Sequence, residues 1–128
     1  MAKYLLDTTA LIDHLRGRKE VVDLMTSLAQ EGHVLGTCAV NVAEVHAGLR
    51  EAERGRADRL LDRLELYQLS RAVATLAGRY RYESARRGVT IAITDALIAG
   101  AAVKEGATLI TANVRDFPMG DLRVQQQP

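Results

Sequence analysis

The chain of 128 residues has no tryptophan, one cysteine and two prolines, and no apolar run of membrane-spanning length. Each absence narrows what it can be. With aromatics at 4% against 48% apolar residues overall, the core must be aliphatic, built from Leu, Val, Ile and Ala. The single Cys38 excludes an internal disulfide and a Cys-rich zinc site, and fits a reducing compartment. The longest apolar run, Ala96 to Val103, falls far short of the ~20 residues a membrane helix needs. Lys3 is not followed by the long apolar region of a signal peptide. These features lead to an expectation of a cytoplasmic protein with no membrane partner. A Gly-rich phosphate loop is missing, as is any Ser-His-Asp or Cys-His set, which argues against a nucleotide-dependent kinase and against nucleophilic catalysis. Net charge is 17 − 16 = +1, so the chain as a whole is no general sponge for nucleic acid.

What is present is one domain's worth of alternating strand and helix. Residues 1–128 are expected to form a single domain, with a tail from about 125 that frays. Strands are expected at 3–6, 33–37, 66–69, 107–111 and 122–124. Helices are expected at 9–15, 20–30, 40–51, 56–64, 71–87 and 94–105. Val21, Leu24, Met25 and Leu28 give the second helix one apolar stripe, and Gly32 follows as its stop. Ser70 suits the cap of a long helix that ends at Gly88. This alternation implies an α/β fold, a mainly parallel central sheet with helices on both faces. In such sheets ligands bind beyond the carboxyl ends of the strands, where the strand order reverses.

Acids fall at those ends. Asp7 closes the first strand, and Asn113 and Asp116 follow Thr111 at the end of "ATLIT". Glu44 lies on the helix behind "VLGT", and Asp95 opens an Ala-rich helix that is apolar nearly all round and should be buried. Each acid also has a local explanation. Asp7 can cap a helix, Asp95 can favour a helix dipole, Asp116 suits a turn, and Glu44 can be a solvated helix residue. Local roles do not explain why four acids share one edge. Gathered carboxylates raise one another's pKa, and a divalent cation relieves that. A set of oxygens without Cys or clustered His suits Mg²⁺ or Mn²⁺ rather than zinc. Phosphodiester hydrolysis is the chemistry such a site serves.

The segments "LLDTTALID", "NVAEVHAGLR" and "TDALIAGAAVKEGATLITANVRDF" together resemble the PIN-domain ribonucleases, specifically the VapC-type toxins of bacterial toxin–antitoxin pairs. The resemblance runs from Lys3 to about Val124. It implies a three-layer PIN-like fold and Mg²⁺-dependent endonucleolytic cleavage of RNA. It implies Asp7, Glu44 and Asp95 as the principal metal-holding acids. Asn113 falls at a fourth, weaker position, and Asp116 assists directly or through water. Thr9 and Thr111 match small hydroxyl positions that orient water or carboxylates. The partners implied are RNA, a cognate antitoxin and a second copy of the chain.

Arg79, Arg81, Arg86 and Arg87 cluster near a helix end with Tyr80 and Tyr82 between them. That pattern reads either as a solvated helix end with Tyr80 in the core or as an RNA track, with Arg86 and Arg87 kept as RNA contacts. The three His share no metal-ligand spacing, and Cys38 reads as a small core residue. A phosphatase of the haloacid dehalogenase type needs a second Asp where Thr9 stands. A receiver domain needs a phosphoacceptor after a central strand, whereas Asp58 and Asp62 fall in a helical pattern. A catalytically silent PIN-like binding module is the non-enzyme alternative.

Overall fold

Five parallel strands form one sheet in the order β3-β2-β1-β4-β5, in a computed structural model that describes residues 1–128. In chain order the elements are β1 (Lys3–Leu6), α1 (Thr8–Leu15), α2 (Lys19–Gln30), β2 (Val34–Cys38), α3 (Ala39–Gly48), α4 (Arg54–Asp62), β3 (Glu65–Tyr67), α5 (Arg71–Arg86), α6 (Ile93–Glu105), β4 (Ala107–Thr111) and β5 (Val124–Gln126). Short 3-10 turns occupy Glu51–Glu53 and Val114–Asp116. No helix is long and apolar enough to cross a membrane.

The period of two along each strand sorts the core into two layers. Leu5 and Leu109 are paired across β1 and β4, and both enter the layer built with α5 and α6. Their successors Leu6 and Ile110 enter the opposite layer, formed with α1 to α4. All four are fully buried, each worth about 1.5–3 kcal/mol of transfer free energy. The sheet is therefore covered on both faces, as its continuous apolar strands require.

Local chemistry sets the element ends. Ser70 caps α5 by accepting from the Val73 N–H at 3.2 Å. The helix closes in a Schellman motif, with Gly88 at φ 77°, its N–H on the Ala85 carbonyl and the Val89 N–H on the Ser84 carbonyl. At Gly36 a Cβ would overlap the Tyr67 ring, which lies over β2 and donates its hydroxyl to the Tyr4 carbonyl at 3.3 Å. Gly36 thus admits a fully buried Tyr next to the central strands.

Four expectations are corrected. The helix expected over 40–51 stops at Gly48, because Leu49 is extended and Glu53 accepts from the Arg50 N–H to start a new turn. The helix expected from 94 opens one residue earlier, at Ile93, with Ala92 as its N-cap. The C-terminus is not frayed. Gln125 and Gln126 pair with Ile110 and Thr111, and Gln127 is buried with its amide donating to Asp13 at 2.6 Å. Leu122, expected in the last strand, instead plugs the core from a turn closed on the Met119 carbonyl.

Candidate active site

The strand order reverses between β1 and β4. From β1 the chain moves outward through β2 and β3, then returns to the other side of β1 as β4 and β5. Asp7 ends β1 and Thr111 ends β4, so both stand at the switch point where such sheets bind ligands. The Thr111 hydroxyl donates to Asp7 Oδ2 at 2.6 Å and accepts from the Asn113 N–H at 3.0 Å.

Asp7 is nearly buried, at 7% exposure, and its lone pairs can be counted. Oδ1 accepts from the Thr8 N–H at 2.9 Å, the helix-cap role, and from Asn41 Nδ2 at 3.1 Å. Oδ2 accepts only from Thr111, which leaves one lone pair free. Asn41 is fully buried on the first turn of α3. Its other Nδ2 hydrogen goes to Thr8 Oγ1 at 3.2 Å, and its Oδ1 accepts from the Cys38 N–H and Sγ at 3.3 and 3.1 Å. Burial pushes the Cys38 thiol up, which keeps its proton in place for that bond. Thr8 in turn donates to Glu44 Oε1 at 2.7 Å. A single connected network from Cys38 through Asn41 and Thr8 thus fixes Asp7 and Glu44, and leaves each a free oxygen lone pair.

Asp95 differs: no hydrogen bond reaches its carboxylate. Burial in the first turn of α6, then the charges of Asp116, Asp7 and Glu44, raise its pKa from an ordinary 3.8 to about 6. The three charges that act on it come from the 3-10 turn after β4, from the end of β1 and from α3. Acids from three other segments therefore lie within electrostatic reach of Asp95.

A family model describing the PIN domain matches residues 4–118. The chain belongs to the PIN domain family. Over 117 residues, 90% of this PIN chain and 92% of its relative, it is 34% identical to ribonuclease VapC19 of Mycobacterium tuberculosis. It is 29% identical, over 98% of each chain, to the tRNA(fMet)-specific endonuclease VapC of Shigella flexneri. The structure of VapBC2 from Rickettsia felis bound to a promoter DNA fragment contains a chain that superposes with a TM-score of 0.88. That chain is 25% identical, with 98% of the PIN chain and 99% of the other covered.

Not every residue expected from the sequence of this PIN chain joins the acidic set in the same way. Asp7, Glu44, Asp95 and Asp116 do so through the bonds and fields just described. Thr9 makes no hydrogen bond to an acid, and its neighbour Thr8 takes that role. Asn113 is exposed at the start of the 3-10 turn and bonds through its backbone, not through its amide. Arg86 packs on Tyr82, its guanidinium 5.6 Å from the ring centroid and Nη1 on the hydroxyl at 3.0 Å. Arg87 is exposed and has no ion pair. Sequence reasoning missed Asn41 and Thr8. The one available signal was that Asn41 precedes Glu44 by three residues and so shares its helix face.

The PIN chain's donor set fits a hard divalent cation. It is all oxygen, it includes an acid with no hydrogen-bond partner, and its charges are mutually uncompensated. No three acidic, His or Cys side chains close on one point. Mg²⁺ does not require that, since it is held by one or two carboxylates with water filling the rest.

Proposed function

We propose that this chain is a Mg²⁺-dependent endoribonuclease that acts as the toxin of a cytoplasmic toxin–antitoxin pair. The observation that carries the reading is that Asp7, which ends β1 at the switch point, lies with Glu44 and Asp116 within electrostatic reach of Asp95, whose carboxyl burial and those three charges push up to about 6. The 34% identity to a protein named as a ribonuclease supports the same chemistry.

Asp7 Oδ2, Glu44 Oε2 and the Asp95 carboxylate would hold the ion, one or two of them directly and the rest through water, with Mn²⁺ as a substitute. Asn113 is a weaker neutral ligand, and Asp116 acts through water. Bound there, Mg²⁺ supplies charge stabilisation for the phosphate and makes an attacking water more acidic. The protein's own part is positional. Thr111 and Asn41 hold Asp7 so that one lone pair faces the cleft, and Thr8 does the same for Glu44. The bonds are fixed before substrate arrives, so little reorganisation is left for the reaction.

An antitoxin partner is supported by the Rickettsia felis relative, solved as a VapBC2 complex. A homodimer completes the proposal and is checked by sedimentation of the purified chain.

The test is cleavage of a structured RNA with Mg²⁺, then with EDTA, by the parent chain and by the Asp7→Asn and Asp95→Asn variants. Cleavage should need the ion and disappear in both variants while each still folds. Asparagine at position 7 can keep the cap, because Asn and Asp cap about equally well. Cleavage that survives chelation, or that both variants retain, sinks the proposal. A folded chain that binds RNA but never cuts it would favour the silent binding module.

A further inference from the structure

A groove adjoins Asp95 and Asp116, and its walls suit unpaired RNA. Its first chamber, ≈ 350 Å³, has Asp95 and Asp116 at its inner end. One wall is the extended segment from Val89 to Ala92, and the other is Arg115 and Pro118. Val89 and Pro118 also line a second chamber of ≈ 430 Å³, which reaches Arg87. The two chambers thus adjoin at Val89 and Pro118.

The extended wall is held rigidly from both ends. Val89 is fixed by the Schellman bond to Ser84. Ile91 is buried in the core, and its carbonyl accepts from Arg81 Nε at 2.9 Å. Between them, the N–H and C=O of Thr90 pair with no protein group, and neither does its hydroxyl. An extended strip with free donors and acceptors, facing an apolar slot, suits the edge and faces of a base. Val89 is 46% exposed, which an aliphatic side chain in a site built for water alone would not need.

Charge points the same way. Neither Arg115 nor Arg87 has an ion pair, so both guanidinium groups are available. The acids of the second chamber are engaged elsewhere: Asp121 accepts from the Tyr80 hydroxyl at 2.7 Å, and Glu83 lies 3.8 Å from Arg79. The volume of the first chamber sits at the low end for small-molecule sites, enough for a single flipped base and too small for a duplex.

We infer that this groove binds single-stranded RNA on one side of the cleaved bond, with one base seated between Val89 and Pro118 and the flanking phosphates on Arg115 and Arg87. The inference rests on the proposed ribonuclease activity for its choice of RNA. It adds the direction of the strand's path and the residues that set preference for the base beside the cut.

The test separates binding from cleavage. A short single-stranded RNA of mixed sequence is titrated by fluorescence anisotropy against the Asp95→Asn protein across a range of salt. Adding Arg87→Ala or Arg115→Ala should lower the slope of log affinity against log salt by about 0.7 each, the single-strand value for one phosphate contact. Arg71→Ala and Lys104→Ala, at a separate basic surface, should leave the slope where it was. With Asp95 restored, Thr90→Val should change which base is favoured beside the cut, read by mapping product ends. An absence of RNA binding, unchanged slopes in both groove variants, or equal losses in the Arg71 and Lys104 controls would each overturn the inference. Slopes that fall as expected in a protein that never cleaves would leave the groove standing and refute the ribonuclease proposal instead.

Discussion

Removing Asp95 should make the metal-free protein more stable at neutral pH. The Asp95 carboxyl takes its proton at about 6 in the fold rather than at 3.8. Because the folded value is the higher one, its contribution is fully present below about pH 4 and is lost as pH rises through 6. Two pH units correspond to a ceiling of about 3 kcal/mol. The carboxyl is partly open to water, which screens both burial and repulsion, so about 1 kcal/mol is the working figure. A chain of this length unfolds with an entropy near 0.27 kcal/mol/K, which converts 1 kcal/mol into about 4 °C of Tm. Thermal unfolding followed by circular dichroism in EDTA should put Asp95→Asn about 4 °C above the parent at pH 7, with the gap closed by pH 4. Added Mg²⁺ should raise the parent and leave the variant nearly unmoved. An Asp95→Asn protein that melts at or below the parent at pH 7, or a gap that ignores pH, would refute the account of repulsion.

Two further outcomes test the frame around the acids. Asn41→Ala strips a donor from Asp7 and from Thr8 inside the protein and should cost about 1–3 kcal/mol in urea unfolding; a loss below about 0.5 kcal/mol would mean the network holds nothing in place. Gly36→Ala drives a methyl into the Tyr67 ring and should cost about 1–3 kcal/mol, with the penalty much reduced in a Tyr67→Leu background; strict additivity of the two changes would show that the ring is not the obstacle.

Most of the architecture was legible in the sequence because period and punctuation agree. The strand at 3–6 and the one at 107–111 are located to the residue, and Ser70, Gly88 and Gly106 mark helix ends correctly. The last strand was misplaced for a physical reason. Apolar Leu122 looked like strand, but an edge strand is held by its backbone, so Gln125 and Gln126 serve there, while Leu122 fills the core. Within the site, the positions of the acids were readable from the rule about strand ends. The residues that hold them were not. Asn41 is polar and yet fully buried, and only contacts across more than thirty residues make that tolerable. Thr8 and Thr9 are equivalent in composition, and the phase of α1 alone decides which faces Glu44.

The order of the strands also sets when the acidic edge can exist at all. Asp7 is polymerised 104 residues before Thr111, which accepts a backbone bond and donates to Asp7. Asp95 and Asp116 arrive only with α6 and the turn after β4, and β4 must slot in beside β1 before the four acids meet. Until β4 has been made, the nascent chain therefore lacks the assembled acidic edge. In a protein that cuts RNA, this arrangement shields the message and the ribosome that are making it until β4 has been translated and paired.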